Sequence, residues 1–381
     1  MVDCTGGLAL VLSGGAARAA YQAGVLRGIA RIAPALAPEV LTGVSAGAIN
    51  TAFLAASDQR FPATADALVD TWSRMSVERV FHVHGGALAW SVARWSTRLL
   101  AGKAGGTLRT RGMVDNTPLR EFLHEALHAD GERIPGISAS LARGPLRSIA
   151  VTASSYTSGQ SITWVQGHCP AGWERPHRRS LATELRVEHV LASAALPLFF
   201  PAVSVDREWY GDGGIRLTHP LSPAVHLGAD RILAISVRSR PSLDPLRAPI
   251  DGGDGYPSPA QIVGQLHQAI FLDQFDADAD QLRRTNRMVE RMPADERGDL
   301  RKIDILVLRP SVDLGELAEQ HEPKLPWMFR YLTRGLGTAE SRGNDALSLV
   351  MFQRDYLEHL IELGEKDALA RREDIERFLA P

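Results

Sequence analysis

Cysteine is scarce in this sequence: two residues, Cys4 and Cys169, occur among 381, too few for a disulfide framework or a four-cysteine zinc site. That usage fits a reducing compartment and an intracellular chain. A surplus of either charge is also lacking. With a formal net charge of −2 there is no basic excess to court phosphate backbones, and nucleic-acid binding is not expected. No 18 consecutive apolar residues occur, so a spanning helix is not expected and any membrane contact has to be peripheral. Leu8 to Leu12, followed by the small residues around Ala16 to Ala20, imitates an export signal. However, no Lys or Arg precedes the run, and Ser13-Gly14-Gly15 ends it at once. Export is rejected, and a cytoplasmic location is expected. His82 and His84 lie two apart with no acid or cysteine beside them, so no metal site is expected.

What is present is an ordinary globular composition, 45% hydrophobic and 23% charged, enough to bury a large core. Short runs rich in Val, Ile and Leu, at Leu8 to Leu12, Val40 to Val44, Ser148 to Thr152, Arg231 to Val237 and Ile303 to Leu308, alternate with longer helical patterns. Strands apolar on both faces belong to a mostly parallel sheet covered by helices on each side, which predicts an α/β sandwich. The first helix is expected over Ala17 to Ala33, with Tyr21, Val25, Ile29 and Ile32 on its buried face and Pro34 closing it. The glycine- and proline-rich stretch 251–259 is a loop, and a long helix is expected from about Pro259 to Met292. A further helix is expected over Asp345 to Leu363, stopped by Gly364. The core is placed at residues 1–315 and a helical extension at 316–381.

Three segments carry chemistry. Gly43-Val44-Ser45-Ala46-Gly47 follows a strand and opens a helix, the context of a nucleophile elbow, where flanking glycines permit a strained turn that holds a serine hydroxyl above the sheet. Ser45 is the nucleophile candidate, and the plain alternative is a glycine turn with a capping serine. Ser13-Gly14-Gly15-Ala16-Ala17-Arg18 follows the first strand. Its small residues let backbone N–H groups converge on an anion, either a phosphate or a developing oxyanion. It has neither a GxGxxG nor a GK[ST] fingerprint, and with an elbow on the next strand the oxyanion is preferred. Asp212-Gly213-Gly214 reads alone as a turn; beside a serine in need of a base, Asp212 becomes the candidate base.

In this order, Leu8 to Leu26, Gly43 to Gly47 and Asp212 to Gly214 resemble the patatin-like phospholipase family. Val114 to Leu119, Ala192 to Pro197 with Phe200-Pro201, and His219 to Asp230 resemble its linking segments. The likeness covers about residues 6–310, and Leu349 to Tyr356 with Leu363 to Ala368 is similar to the tails of some bacterial members. The resemblance implies a three-layer α/β/α fold and a Ser-Asp dyad without histidine: Ser45 attacks an ester carbonyl and Asp212 takes its proton. It also implies oxyanion donors at Gly14, Gly15, Ala16 and Ala46, with Gly43, Gly47, Gly213 and Gly214 as motif glycines. Arg18 matches the family's basic loop residue, in either a substrate contact or a loop-holding role. Neither metal nor cofactor is implied, the partner is a lipid or long-chain ester, and no oligomeric state is assigned. The sequence departs from the family at Ala16 and Ala19, where glycine is usual; a left-handed Ala16 would cost about 1 to 2 kcal/mol.

The expected function is therefore a lipid acyl hydrolase acting through an acyl-serine. The alternatives are an acyltransferase or thioesterase on the same dyad, a Ser-His-Asp hydrolase using His219, His226 or His359, and a lipid-binding pseudoenzyme. Ala87 to Leu100, with Trp90 and Trp95, forms an amphipathic pattern suited to a lid or an interfacial contact, and Pro326 to Leu332 is a second apolar cluster.

Overall fold

All five residues of the first strand, Leu8–Leu12, are buried, so neither face is left for water. The computed structural model describes residues 4, 6–81, 114–169, 172–197, 199–239, 274–321 and 345–380. Its strands are β1 (Leu8–Leu12), β2 (Val40–Val44), β3 (Ser148–Ser155), β4 (Ser161–Gly167), β5 (Glu174–Arg175), β6 (Arg178–Ala182), β7 (Val203–Val205), β8 (Glu208–Asp212), β9 (Arg231–Ile235) and β10 (Asp304–Leu308). They form one sheet in the order β10-β9-β1-β2-β3-β4-β6-β5, with β8 attached to β3 and β7 to β8. From β10 to β3 all neighbours are parallel.

The helices of the first half are α1 (Ala20–Ile32), α2 (Ala46–Ala56), α3 (Phe61–Ser73), α4 (Val77–Val80), α5 (Thr117–Ala126) and α6 (Pro135–Arg143). The second half contributes α7 (Val187–Ser193), α8 (Ser222–His226), α9 (Gln274–Arg291), α10 (Leu314–His321), α11 (Asp345–Val350), α12 (Arg354–Ala370) and α13 (Arg372–Leu379). Two apolar clusters divide the sheet face by face. Leu8, Leu10 and Leu12 join the cluster that holds α1, α2, α7 and α12, while Ala9 and Val11 join a smaller one under α8 and α9. In β9, Leu233 and Ile235 face the first and Ile232 and Ala234 the second. This is the three-layer α/β/α arrangement, and double-sided burial is why the strands read as unbroken apolar runs.

Two predicted helices differ from the sequence reading. The chain from Ala16 to Ala19 forms a 3-10 turn before α1 begins, so the first helix is shorter at its start than expected. The predicted helix from Asp345 to Leu363 is two helices, and α12 runs straight through Gly364 to Ala370. Gly364 is a contact residue and no stop: a Cβ there would run into the carbonyl of Tyr21, and one at Gly24 would run into that of Ile361. Small residues on both helices bring their backbones together. As a result α1 is buried around almost its whole circumference, Ala20, Ala23 and Gly24 included, where the periodicity predicts one buried face. The C-terminal residues Leu347, Met351, Tyr356, Leu357, Leu360 and Ile361 belong to the same apolar cluster as α1 and α2.

Candidate active site

The site begins with a difference in strand length. β2 ends at Val44, opposite Thr152 of β3, and β3 continues to Ser155. The overhang is taken up by β8, which pairs antiparallel with it and sets Asp212 opposite Ala153. One strand register therefore places the residue after Val44 and the last residue of β8 side by side. Ser45 Oγ donates to Asp212 Oδ2 at 2.6 Å.

Ser45 holds φ 58 and ψ −133, a strained backbone for a non-glycine residue, between β2 and the first turn of α2. Its neighbours permit this turn. A Cβ at Gly43 would run into Thr51 Oγ1, and one at Gly47 into the carbonyls of Leu12 and Ser13. The Ser45 N–H is held by Ser193 Oγ of α7 at 2.9 Å, and Ser193 in turn donates to the Thr152 carbonyl at 2.6 Å. Ser193 and Thr152 were not singled out by the sequence reading. The only signal was the position of Ser193 in a segment already noted, Ala192 to Pro197.

Asp212 is fully buried. Besides Ser45, its carboxylate accepts the Gly214 N–H at 2.8 Å on Oδ1, and its own N–H donates to Ala195 at 2.8 Å. Burial pushes the carboxyl up to about 7, against the opposing pull of the hydrogen bonds from Ser45 and Gly214. Such a carboxylate near neutrality is poised to accept a proton rather than to remain a spectator anion. Gly213 is pressed against β3, where a Cβ would run into the Thr152 carbonyl.

The second wall is the loop from Ser13 to Ala19. Gly14 lies against the nucleophile candidate, since a Cβ there would stand 2.9 Å from the Ser45 Cβ. Ala16 adopts φ 48, the left-handed conformation that its departure from glycine makes costly, whereas Ala19 at φ −68 is an ordinary helical residue. Among the described residues, the N–H groups of Gly14, Gly15, Ala16 and Ala46 have no hydrogen-bond partner. Gln22 Nε2 donates to the Ser13 carbonyl at 2.8 Å, and Asn50 Nδ2 reaches Gln22 Oε1 at 2.9 Å and the Ala19 carbonyl at 3.2 Å. Trp72 Nε1 closes the chain on Asn50 Oδ1 at 2.7 Å. This buried network was also missed by the sequence reading. Its members lie on three separate helices, and the one visible hint is the polar pair Asn50-Thr51 on an otherwise apolar helix.

Arg18 is buried, and its Nε donates to Ser348 Oγ of α11 at 2.7 Å. The three histidines weighed as alternative bases do not bond Ser45 or Asp212. His219 pairs with Thr218 Oγ1, His226 stacks on Trp173, and His359 meets His321. Among the described residues no three His, Cys, Asp or Glu gather as a metal-ligand group, and no helix is long and apolar enough to cross a membrane. The stretch Ala87 to Leu100, the pair His82 and His84, and Pro326 to Leu332 lie outside the described residues.

The fold and site together define a three-layer α/β protein with a serine on a strand-to-helix elbow and a buried aspartate beside it. The family model of the patatin-like phospholipases matches residues 10–225, and the chain belongs to that family. Similar solved structures include human GIVD cytosolic phospholipase A2 in complex with methyl gamma-linolenyl fluorophosphonate, 14% identical with a TM-score of 0.46, covering 99% of this chain and 59% of that one. VipD from Legionella pneumophila is 13% identical with a TM-score of 0.32, covering 80% of this chain and 61% of the other. The chain thus spans about three fifths of the length of these structures. None of the curated proteins matches it.

Proposed function

We propose that this chain is a lipid acyl hydrolase that cleaves carboxylic esters through an acyl-serine, with Ser45 as nucleophile and Asp212 as its base. The observation that carries this reading is the 2.6 Å hydrogen bond from Ser45 Oγ to a buried carboxylate whose pKa stands near 7. Asp212 takes the serine proton as Oγ adds to the ester carbonyl, and it returns that proton to the leaving alcohol as the ester C–O bond breaks. Water then gives a proton to Asp212 and adds to the acyl-serine, the Oγ–acyl bond breaks, and the carboxylic acid leaves as Ser45 recovers its hydrogen. The N–H groups of Gly14, Gly15, Ala16 and Ala46, which have no partner among the described residues, are the donors assigned to the oxyanion. No step calls for a metal or organic cofactor. The reading carries with it a cytoplasmic enzyme that meets lipid at a membrane surface without spanning it.

The test is labelling by a fluorophosphonate followed by assay on long-chain esters and phospholipids. Ser45→Ala should abolish both signals, and Asp212→Asn should lower hydrolysis about 10² to 10⁴-fold while the circular dichroism spectrum is kept. His219→Ala, His226→Ala and His359→Ala should each stay within about tenfold of the parent, because loss of a triad histidine costs far more. A dead histidine variant beside an active Asp212→Asn would make the chain a triad hydrolase. An acyl ester or thioester product, formed when an alcohol or thiol acceptor is present, would redirect the reading to an acyltransferase.

A further inference from the structure

A left-handed backbone at a non-glycine residue persists only where its surroundings over-determine it. Ala16, at φ 48, has no glycine freedom to rely on, and its loop is gripped from two directions. Upstream, Gln22 holds the Ser13 carbonyl and is itself held by Asn50, which Trp72 holds in turn. Downstream, the Arg18 N–H donates to the Gly15 carbonyl at 3.0 Å, and the Arg18 side chain reaches Ser348, 330 positions further along the chain. Both Arg18 and Ser348 are buried. The upstream brace lies wholly within residues 10–225, the segment matched by the family, and the downstream one ends outside it.

We propose that Ser348 is a positioning residue for the reaction: by holding Arg18 it keeps the Gly14–Ala16 amides in place, which makes α11 a working part of the site. The proposal rests on the reading of those amides as oxyanion donors. A hydrogen bond to a charged group contributes enough that its loss, if expressed in the transition state, lowers the rate about tenfold. The loss should fall on kcat and leave KM unmoved, because an oxyanion contact is made only as the tetrahedral state forms.

The experiment uses the full chain with Ser348→Ala, Ser348→Thr and Ser348→Cys, each with and without Ala16→Gly. Measured are kcat and KM on a soluble p-nitrophenyl ester, the rate of fluorophosphonate labelling, and hydrogen exchange of the Ser13–Ala19 amides. Ser348→Ala should lower kcat and the labelling rate about tenfold and speed loop exchange, while Ser348→Thr keeps the hydroxyl and most of the rate. Ser348→Cys, close in size with a weaker acceptor, should show a smaller loss and decides the matter if the alanine variant does not fold. Ala16→Gly removes the strain that needs bracing and should shrink the Ser348→Ala loss to about threefold or less. As a control, Asp367→Ala removes the acceptor that α12 offers to the Tyr21 hydroxyl; it should lower the melting temperature and leave loop exchange unchanged. Parental kcat and parental loop exchange in Ser348→Ala would overturn the proposal, as would an equal loss in the Ala16→Gly background. If the parent neither labels nor hydrolyses, the hydrolase reading fails, and loop exchange alone still decides whether Ser348 braces the loop.

Discussion

Two non-glycine residues with positive φ, Ser45 in the elbow and Ala16 in the neighbouring loop, are kept there by different means. Ser45 is held locally: Gly43 and Gly47 clear space on either side, and the first turn of α2 begins at once. Ala16 has a glycine only before it, and its loop is held by Gln22, Asn50, Trp72, Arg18 and Ser348, drawn from four helices and from the loop itself. The elbow is a motif that travels with its own sequence. The loop depends on the rest of the molecule.

Asp212, beside the elbow, gives the largest expected effect. If it must be ionised to act, kcat/KM falls about tenfold per pH unit below the carboxyl's value near 7, and Asp212→Asn removes that limb along with most of the rate. The same shift has a stability consequence of opposite sign. Between the ordinary carboxyl value of 3.8 and about 7 the unfolded chain has released this proton and the folded chain retains it. Stability should therefore decline as pH rises through that window, and Asp212→Asn should flatten the decline in urea melts recorded from pH 4 to pH 8.

Next in size is Gly47→Ala, which forces α2 away from the Leu12 and Ser13 carbonyls and so parts the elbow from the loop. A displacement near 1 Å in a catalytic frame costs about a hundredfold in rate, and a loss much smaller than that on a soluble ester would show that the elbow tolerates movement. Asn50→Ala tests the remote bracing. It strips partners from Trp72, Gln22 and the Ala19 carbonyl, and should cost about 1 to 3 kcal/mol in urea unfolding together with a fall in kcat. The smallest effects separate the two family departures. Ala16→Gly relieves a left-handed alanine and should leave stability equal or raised by up to about 1 kcal/mol, with activity equal or higher. Ala19→Gly has nothing to relieve at φ −68 and should cost about 0.5 to 1 kcal/mol, measurable as a lower melting temperature.

The five parallel strands β1, β2, β3, β9 and β10 and the elbow were legible because their signals are local. Leu8–Leu12 and Val40–Val44 have the bounds that their apolar runs predict, since a strand buried on both faces needs no partner information to be recognised. Gly364 misled for the same reason. A glycine late in a helical pattern reads as a stop, and only the presence of α1 across from it shows a close crossing. Arg18 could be assigned to a substrate or to loop support from its position alone; that its side chain bonds Ser348 required both ends of the chain in one frame.

By itself the sequence determined the layered α/β class, the turn that strains Ser45, and the residue types at the site, because each follows from spacing over a few residues. Tertiary structure alone decided that β3 outruns β2, so that β8 can set Asp212 against Ser45, and that the carboxyl is buried deeply enough to rise to about 7. It also decided what holds Ala16. Burial, strand register and remote hydrogen bonds are properties of how distant segments meet, and no short window of sequence contains them.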